Sequence, residues 1–189
     1  MDALKNLFNR RSIRAYRPDP VDPEMVRTII EAAMFAPSSG DQQPWRFVVI
    51  QSRETLDTIA REHPYAGFAA EVPVAILICG ALKDLPYGAA WTDDCAAATQ
   101  NMLLAAHAQG LGSVWLGLSP KPERMALLRR LAHLPEGIDP FAMVLIGHPA
   151  EKPEKPERFH AEWIRAEHWL DPWPHGPRVG CDKPVKKKV

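Results

Sequence analysis

The chain has 189 residues, enough for one domain that buries roughly 70% of the surface its unfolded form would expose. Lys plus Arg and Asp plus Glu both count 23, so the net charge is zero, which excludes the broadly basic surface of a nucleic-acid or membrane-surface protein. Three widely spaced cysteines (Cys79, Cys95, Cys181) make neither a CxxC pair nor a disulfide framework and fit reduced thiols in the cytoplasm.

Residues 2–9, DALKNLFN, predict a short helix capped by Asp2, with Leu4, Leu7 and Phe8 on one face. The start lacks the apolar core and small-residue site of a secretory signal. A basic loop follows and ends in RPDPVDPE. Asp22 as N-cap, Pro23 at the first helical position and Val26, Ile29, Ile30, Ala33 and Met34 at helical spacing predict the next helix. Pro37 stops it, because the residue before a proline avoids the helical region. PSSGDQQP reads as a polar loop, and WRFVVI (45–50) as a strand rich in β-formers. A helix capped by Ser52 is expected over 53–62. The continuous apolar run VPVAILICG (72–80) predicts a strand buried on both faces, and 81–90 a loop.

Residues 92–109 predict the longest helix. Asp93 and Asp94 complement its N-terminal dipole, and Gly110 stops it. Its alanines permit close packing, at the centre of the fold or at a subunit contact. GSVWLGL (112–118) is the next strand, 122–133 a helix with Met125, Leu128 and Leu131 inward, and FAMVLIGHP (141–149) the last core strand. Seven prolines fall in the last 41 residues, so no regular core element is expected there beyond one helical piece in ERFHAEWIRAEHW. The basic end, CDKPVKKKV, is expected to be disordered. No run reaches the 18 or so apolar residues of a membrane helix. About four strands mixed with helices imply an α/β or α+β sheet covered by helices.

Several chemistries are absent. There is no GxxxxGK[ST], no GxSxG and no HExxH. GLGSVWLG contains GxG, but it follows a helix and enters a strand, the reverse of a dinucleotide fingerprint. Seven histidines are scattered, and no metal site is expected. Cys95 among alanines reads as a small buried side chain.

Three stretches remain. RRSIRAY (10–16) crowds Arg10, Arg11, Arg14 and Ser12 together, and no acidic residue lies between Asp2 and Asp19. Guanidinium forks and a hydroxyl suit a phosphate monoester, with close to two negative charges and three acceptor oxygens. APSSGDQQPW offers donors to a heterocycle edge. GLGSVWLG has glycines on either side of a strand, which let backbone approach a flat ligand.

In this order the three resemble the nitroreductase family of FMN-dependent oxidoreductases. The stretches are RRSIRAYRPDPV, AAMFAPSSGDQQPWRFVVI, DCAAATQNMLLAAHAQGLGSVWLG and VLIGHPAEKPEKPERF, spanning residues 2–168. The resemblance implies an α+β, three-layer fold, with a mostly antiparallel sheet of four to five strands covered by helices. It implies a domain-exchanged homodimer with FMN at the subunit interface, a flavin domain over 1–168 and a tail over 169–189. Arg10, Arg11, Ser12 and Arg14 would meet the FMN phosphate, ribityl chain and pyrimidine end. Pro37, Ser38 and Ser39 would come from the other subunit, with Gln43 a further candidate. Trp115, Leu116 and Gly117 would lie against the isoalloxazine with backbone N–H near N5, and Arg158 would return to the phosphate.

NADH or NADPH would pass a hydride to flavin N5 and give way to a nitroaromatic, quinone or similar small molecule (ping-pong). No protein acid or base is assigned, since the flavin performs the redox step. The alternatives are a relative with another reaction, reductive dehalogenation or flavin fragmentation, and a flavin-binding protein without turnover. One departure stands out: Asp41 occupies a position where many relatives carry Asn.

Overall fold

The computed structural model describes residues 2–174. The chain forms two compact units, Met1–Pro153 and Glu154–Val189. In the first, Asp2 accepts the Lys5 N–H and starts α1 (Ala3–Asn9), whose residues are none of them buried. Asp22 accepts the Glu24 N–H and starts α2 (Pro23–Met34). β1 (Trp45–Ile50) is followed by α3 (Arg53–Glu62), where the Ser52 hydroxyl accepts the Thr55 N–H. Then come β2 (Val74–Ala81), α4 (Trp91–Ala108), β3 (Gly112–Gly117), α5 (Pro122–Leu131) and β4 (Ile138–Gly147).

The four strands form one antiparallel sheet in the order β1-β2-β4-β3. β2 and β4 are central and almost wholly buried, as their unbroken apolar runs require. One face packs against α2 and α4 through Ile29, Ala33, Cys95, Ala98, Met102 and Ala106. The other packs against α3 and α5 through Leu56, Ile59, Leu127 and Leu128. The result is the expected α+β sheet between helical layers. Burial pushes the Cys79 and Cys95 thiols up to about 12, so both are inert core side chains.

The strand expected over 141–149 begins three residues earlier, at Ile138, and takes in Pro140. A proline lacks the N–H a central strand needs. Here it sits opposite Cys79, where the β2–β4 register shifts, so the missing donor falls at an irregularity in the ladder. The strand expected over 72–80 is displaced to 74–81.

In the second unit the helix expected in ERFHAEWIRAEHW does not form. A single 3-10 turn, Ala161–Trp163, stands in its place. Local side-chain contacts hold the segment instead. The His160 ring stacks on Trp163 at 4.1 Å, and the Arg165 guanidinium lies over the Trp169 ring. The expected disorder of CDKPVKKKV falls outside the described residues.

Candidate functional site

The basic loop is stitched to the free edge of β3. Ser12 bridges Ser113 in parallel, and the Ile13 N–H donates to the Ser113 carbonyl at 3.0 Å. Ile13 also covers Gly112, where a Cβ would come within 2.9 Å of its side chain. Tyr16 closes the turn, its hydroxyl donating to the Ile13 carbonyl at 2.5 Å. The Arg17 N–H donates to the His148 carbonyl and the Ala150 N–H to that of Ala15. The backbone N–H groups of Arg14 and Ala15 both go to the Glu151 carboxylate. These bonds leave the Arg14 side chain exposed, free to meet a ligand.

Arg10 and Arg11 stand beside the last turn of α4. Burial first, then the two guanidinium charges, hold the His107 imidazole below the ordinary histidine range. His107 Nε2 is buried and makes no hydrogen bond. Arg11 turns back on α1, donating to the carbonyls of Arg10 and Phe8. That closes the C-terminus of α1, so this arginine has a structural duty the sequence did not announce.

Since Ser113 turns its carbonyl outward to Ile13, strand alternation turns the N–H groups of Trp115 and Gly117 outward too. The Arg124 guanidinium takes the outward Gly117 carbonyl at 3.1 Å. A Cβ on Gly117 would meet no atom within 4 Å, so the face of the strand that carries Trp115 is open at this residue. The Trp115 ring stands edge-on to Phe141 at 5.7 Å, on the α2–α4 side, and Leu116 is buried on the other. The strand therefore offers a ligand its backbone edge rather than these two side chains.

The structure thus brings Arg10, Arg11, Ser12, Arg14, Trp115, Leu116 and Gly117 to one edge of the sheet. Pro37, Ser38, Ser39 and Gln43 are elsewhere, on the loop that enters β1 at the opposite edge. α4 runs between the two groups, with Asp94 near Ser39 and His107 near Arg10, roughly 20 Å apart along the helix. Arg158 lies in the second unit and is exposed.

The Ser38–Gln43 loop is unusual backbone. Gly40, Asp41 and Gln43 have φ of +54°, +56° and +44°. Non-glycine residues enter this left-handed region rarely. The loop is held by the Ser38 hydroxyl, which accepts the Gln43 N–H at 3.1 Å, and by Asp94, a buried acid at the start of α4. Asp94 Oδ1 accepts the Ser39 N–H at 2.9 Å and Oδ2 accepts Gln42 Nε2 at 2.7 Å. The sequence marked Asp94 only as a dipole partner, and no local signal separates it from Asp93. Asp41 accepts Gln43 Nε2 at 2.7 Å and so orients the amide of a predicted cofactor contact. Among the described residues no group of acids, histidines and cysteines could hold a metal.

The sequence matches the Nitroreductase family over residues 7–73 and 60–148. It is 42% identical to a proposed NADH dehydrogenase/NAD(P)H nitroreductase of Methanothermobacter thermautotrophicus, over 89% of this chain and 88% of the relative. A similar protein of Archaeoglobus fulgidus is 40% identical, over 89% and 99%. The fold superposes with a TM-score of 0.84 on a proposed NADH dehydrogenase/NAD(P)H nitroreductase of Bacteroides thetaiotaomicron, 38% identical, covering 88% of this chain and 98% of that one. A proposed nitroreductase of Desulfovibrio desulfuricans, solved in complex with FMN, gives a TM-score of 0.77 at 35% identity, covering 89% and 98%. A cationic loop on the open edge of an antiparallel sheet, matched in sequence and fold along most of the chain, shows that this protein belongs to the nitroreductase family.

Proposed function

We propose that the chain is an FMN-dependent NAD(P)H oxidoreductase that works as a homodimer in the cytoplasm and reduces nitroaromatics, quinones or similar electron-poor small molecules. The observation that carries this reading is the joining of the basic loop to β3 through Ile13 and Ser113, which sets arginines beside the outward N–H groups of that strand. A phosphate-bearing flat heterocycle fits both halves: charge for the phosphate, a backbone edge for the ring.

Arg10, Ser12 and Arg14 would hold the phosphate, ribityl chain and pyrimidine end, and the N–H groups of Trp115 and Gly117 would face the ring. Arg158 is assigned to the phosphate by resemblance. Bound flavin would supply hydride acceptance from NAD(P)H and two-electron delivery to the oxidant. A cation such as Arg14 near the pyrimidine end would favour the anionic reduced state. The chain itself supplies position, charge and exclusion of water; no side chain is assigned a proton transfer.

Two features support a dimer. Ser38 and Ser39 lie roughly 20 Å of helix away from Arg10, too far to grip the same end of one small cofactor. A second copy would bring its own Ser38 loop to this edge. α1 exposes Leu4, Leu7 and Phe8 on one side, and the end of α2 exposes Met34 and the C-cap Phe35. Such apolar surface marks an interface.

The test is the visible spectrum of the purified protein and of its heat-released supernatant, followed by NAD(P)H oxidation with a quinone. A yellow protein that releases one FMN per chain and turns over is expected. A colourless protein that does not bind added FMN would overturn the assignment.

A further inference from the structure

The Asp94 carboxylate is almost completely buried, and no lysine, arginine or histidine pairs with it among the described residues. An unpaired buried carboxylate is costly unless hydrogen bonds replace its lost water. A simple helix cap would not need that cost. The cap position of α4 is occupied by Ala90, which makes no side-chain bond, and Asp94 sends both oxygens to another segment.

The bonds form a directed chain. A carboxylate can only accept, so Gln42 must turn Nε2 to Asp94. That leaves Gln42 Oε1 to accept the Tyr87 N–H at 3.1 Å, while Nε2 also reaches the Tyr87 carbonyl at 3.4 Å. Tyr87 in turn lays its ring over Gly40, where a Cβ would come within 2.1 Å of it. Three segments (the Ser38–Gln43 loop, the turn at Tyr87 and the start of α4) are locked by one acid. The loop it locks is the one with three residues at positive φ, a shape that persists only when its surroundings over-determine it.

We propose that Asp94 is a positioning residue for the flavin contacts of Ser38 and Ser39, acting through the Ser39 N–H and the Gln42–Tyr87 clamp. This rests on the flavin reading above. Its signature is polarity. In D94N the new amide N–H faces Gln42 Nε2, donor against donor. Gln42 can relieve this only by turning over, which sets its own N–H against that of Tyr87. In D94N/Q42E the direction reverses and the clamp is restored except for the long bond to the Tyr87 carbonyl, which a carboxylate cannot donate. The amide introduced at position 94 accepts from Ser39 and donates to the carboxylate introduced at position 42, and that carboxylate accepts the Tyr87 N–H.

The experiment titrates FMN into apo-protein of wild type, D94N, Q42E and D94N/Q42E, with circular dichroism to check folding. D94N and Q42E should each weaken FMN binding by about tenfold or more, and the double variant should return to within about threefold of wild type. A merely structural acid would not be rescued by reversing polarity. D94N that binds FMN like wild type, or a double variant no better than its weaker parent, overturns the proposal. If D94N does not fold, Q42L severs the clamp while sparing the Ser39–Asp94 bond; it should show the same loss, and unchanged affinity there overturns the proposal equally. Wild-type protein that binds no FMN sinks the functional reading and this proposal together. Tight binding by wild type and variants alike sinks this proposal alone.

Discussion

The backbone N–H of Ile13 donates to the carbonyl of Ser113 at 3.0 Å. This bond carries the arginines of the N-terminal loop to the strand that presents Trp115 and Gly117. Without it the cations and the backbone edge would be separate features, each ordinary by itself.

Arg10→Ala combined with Arg14→Ala should leave a folded, largely apo protein. Each charge-assisted bond to a phosphate contributes about 1.5–3 kcal/mol, so losing two should weaken FMN binding at least about a hundredfold. Flavin absorbance per chain, read beside far-ultraviolet circular dichroism, checks this. Full occupancy in the double variant would show that the anion site lies elsewhere. Arg11→Ala should behave differently, lowering thermal stability more than affinity, because its guanidinium closes α1.

Gly112→Ala tests the joint itself. Its Cβ would fall 2.9 Å from Ile13 Cγ2, a contact that forces the loop or the strand to move. Overpacking of this kind costs about 1–3 kcal/mol. Both the melting temperature and the FMN affinity should fall, because the residue displaced is the one that holds the arginines. A drop in melting temperature with unchanged affinity would separate the packing from the site.

The parts of this fold that were legible are those with local causes. Asp2, Asp22 and Ser52 each cap the helix they precede, and each does so through its own side chain. WRFVVI became β1 without a residue's change. What was illegible depended on contacts made far along the chain. Pro140 looks like a reason to end a strand, and only the register shift opposite Cys79 makes room for it. ERFHAEWIRAEHW has helical spacing, but stacking of His160 on Trp163 and the bridge from Arg165 to Pro172 favour an irregular path. Among the site residues, the arginines announced themselves by crowding. Asp94 did not, because an acid in a first turn reads the same whether it faces water or a loop 55 residues away.

The exposed face of α1 carries the dimer prediction. Leu7→Asp puts a charge at an exposed position of a helix that has no buried residue, so the isolated fold should tolerate it. Light scattering after gel filtration should show a monomer in place of a dimer, and flavin content should fall with it. A dimer that persists with full flavin would place the subunit contact on another face. Flavin retained by a monomer would remove the argument that Ser38 and Ser39 serve the neighbouring cofactor.

His63 gives the chain an acid-sensitive point away from the flavin site. It is the buried residue that ends α3; Nδ1 accepts the Tyr65 N–H and Nε2 has no partner. Burial, then the Arg124 charge, holds its imidazole below the ordinary histidine range. The folded state therefore takes up a proton less readily than the unfolded one, whose histidine titrates near ~6.5. By linkage, the stability from neutral His63 is fully present above that pH and is lost as pH falls below it. His107 shifts in the same direction, so both act together on the acid side. His63→Gln can still accept the Tyr65 N–H but cannot titrate. It should lower the melting temperature at neutral pH modestly and flatten its decline toward pH of about 5. Melting curves of both proteins across that range decide the matter. Parallel declines would mean that the acid sensitivity comes from His107 and the carboxylates, with His63 titrating alike in both states.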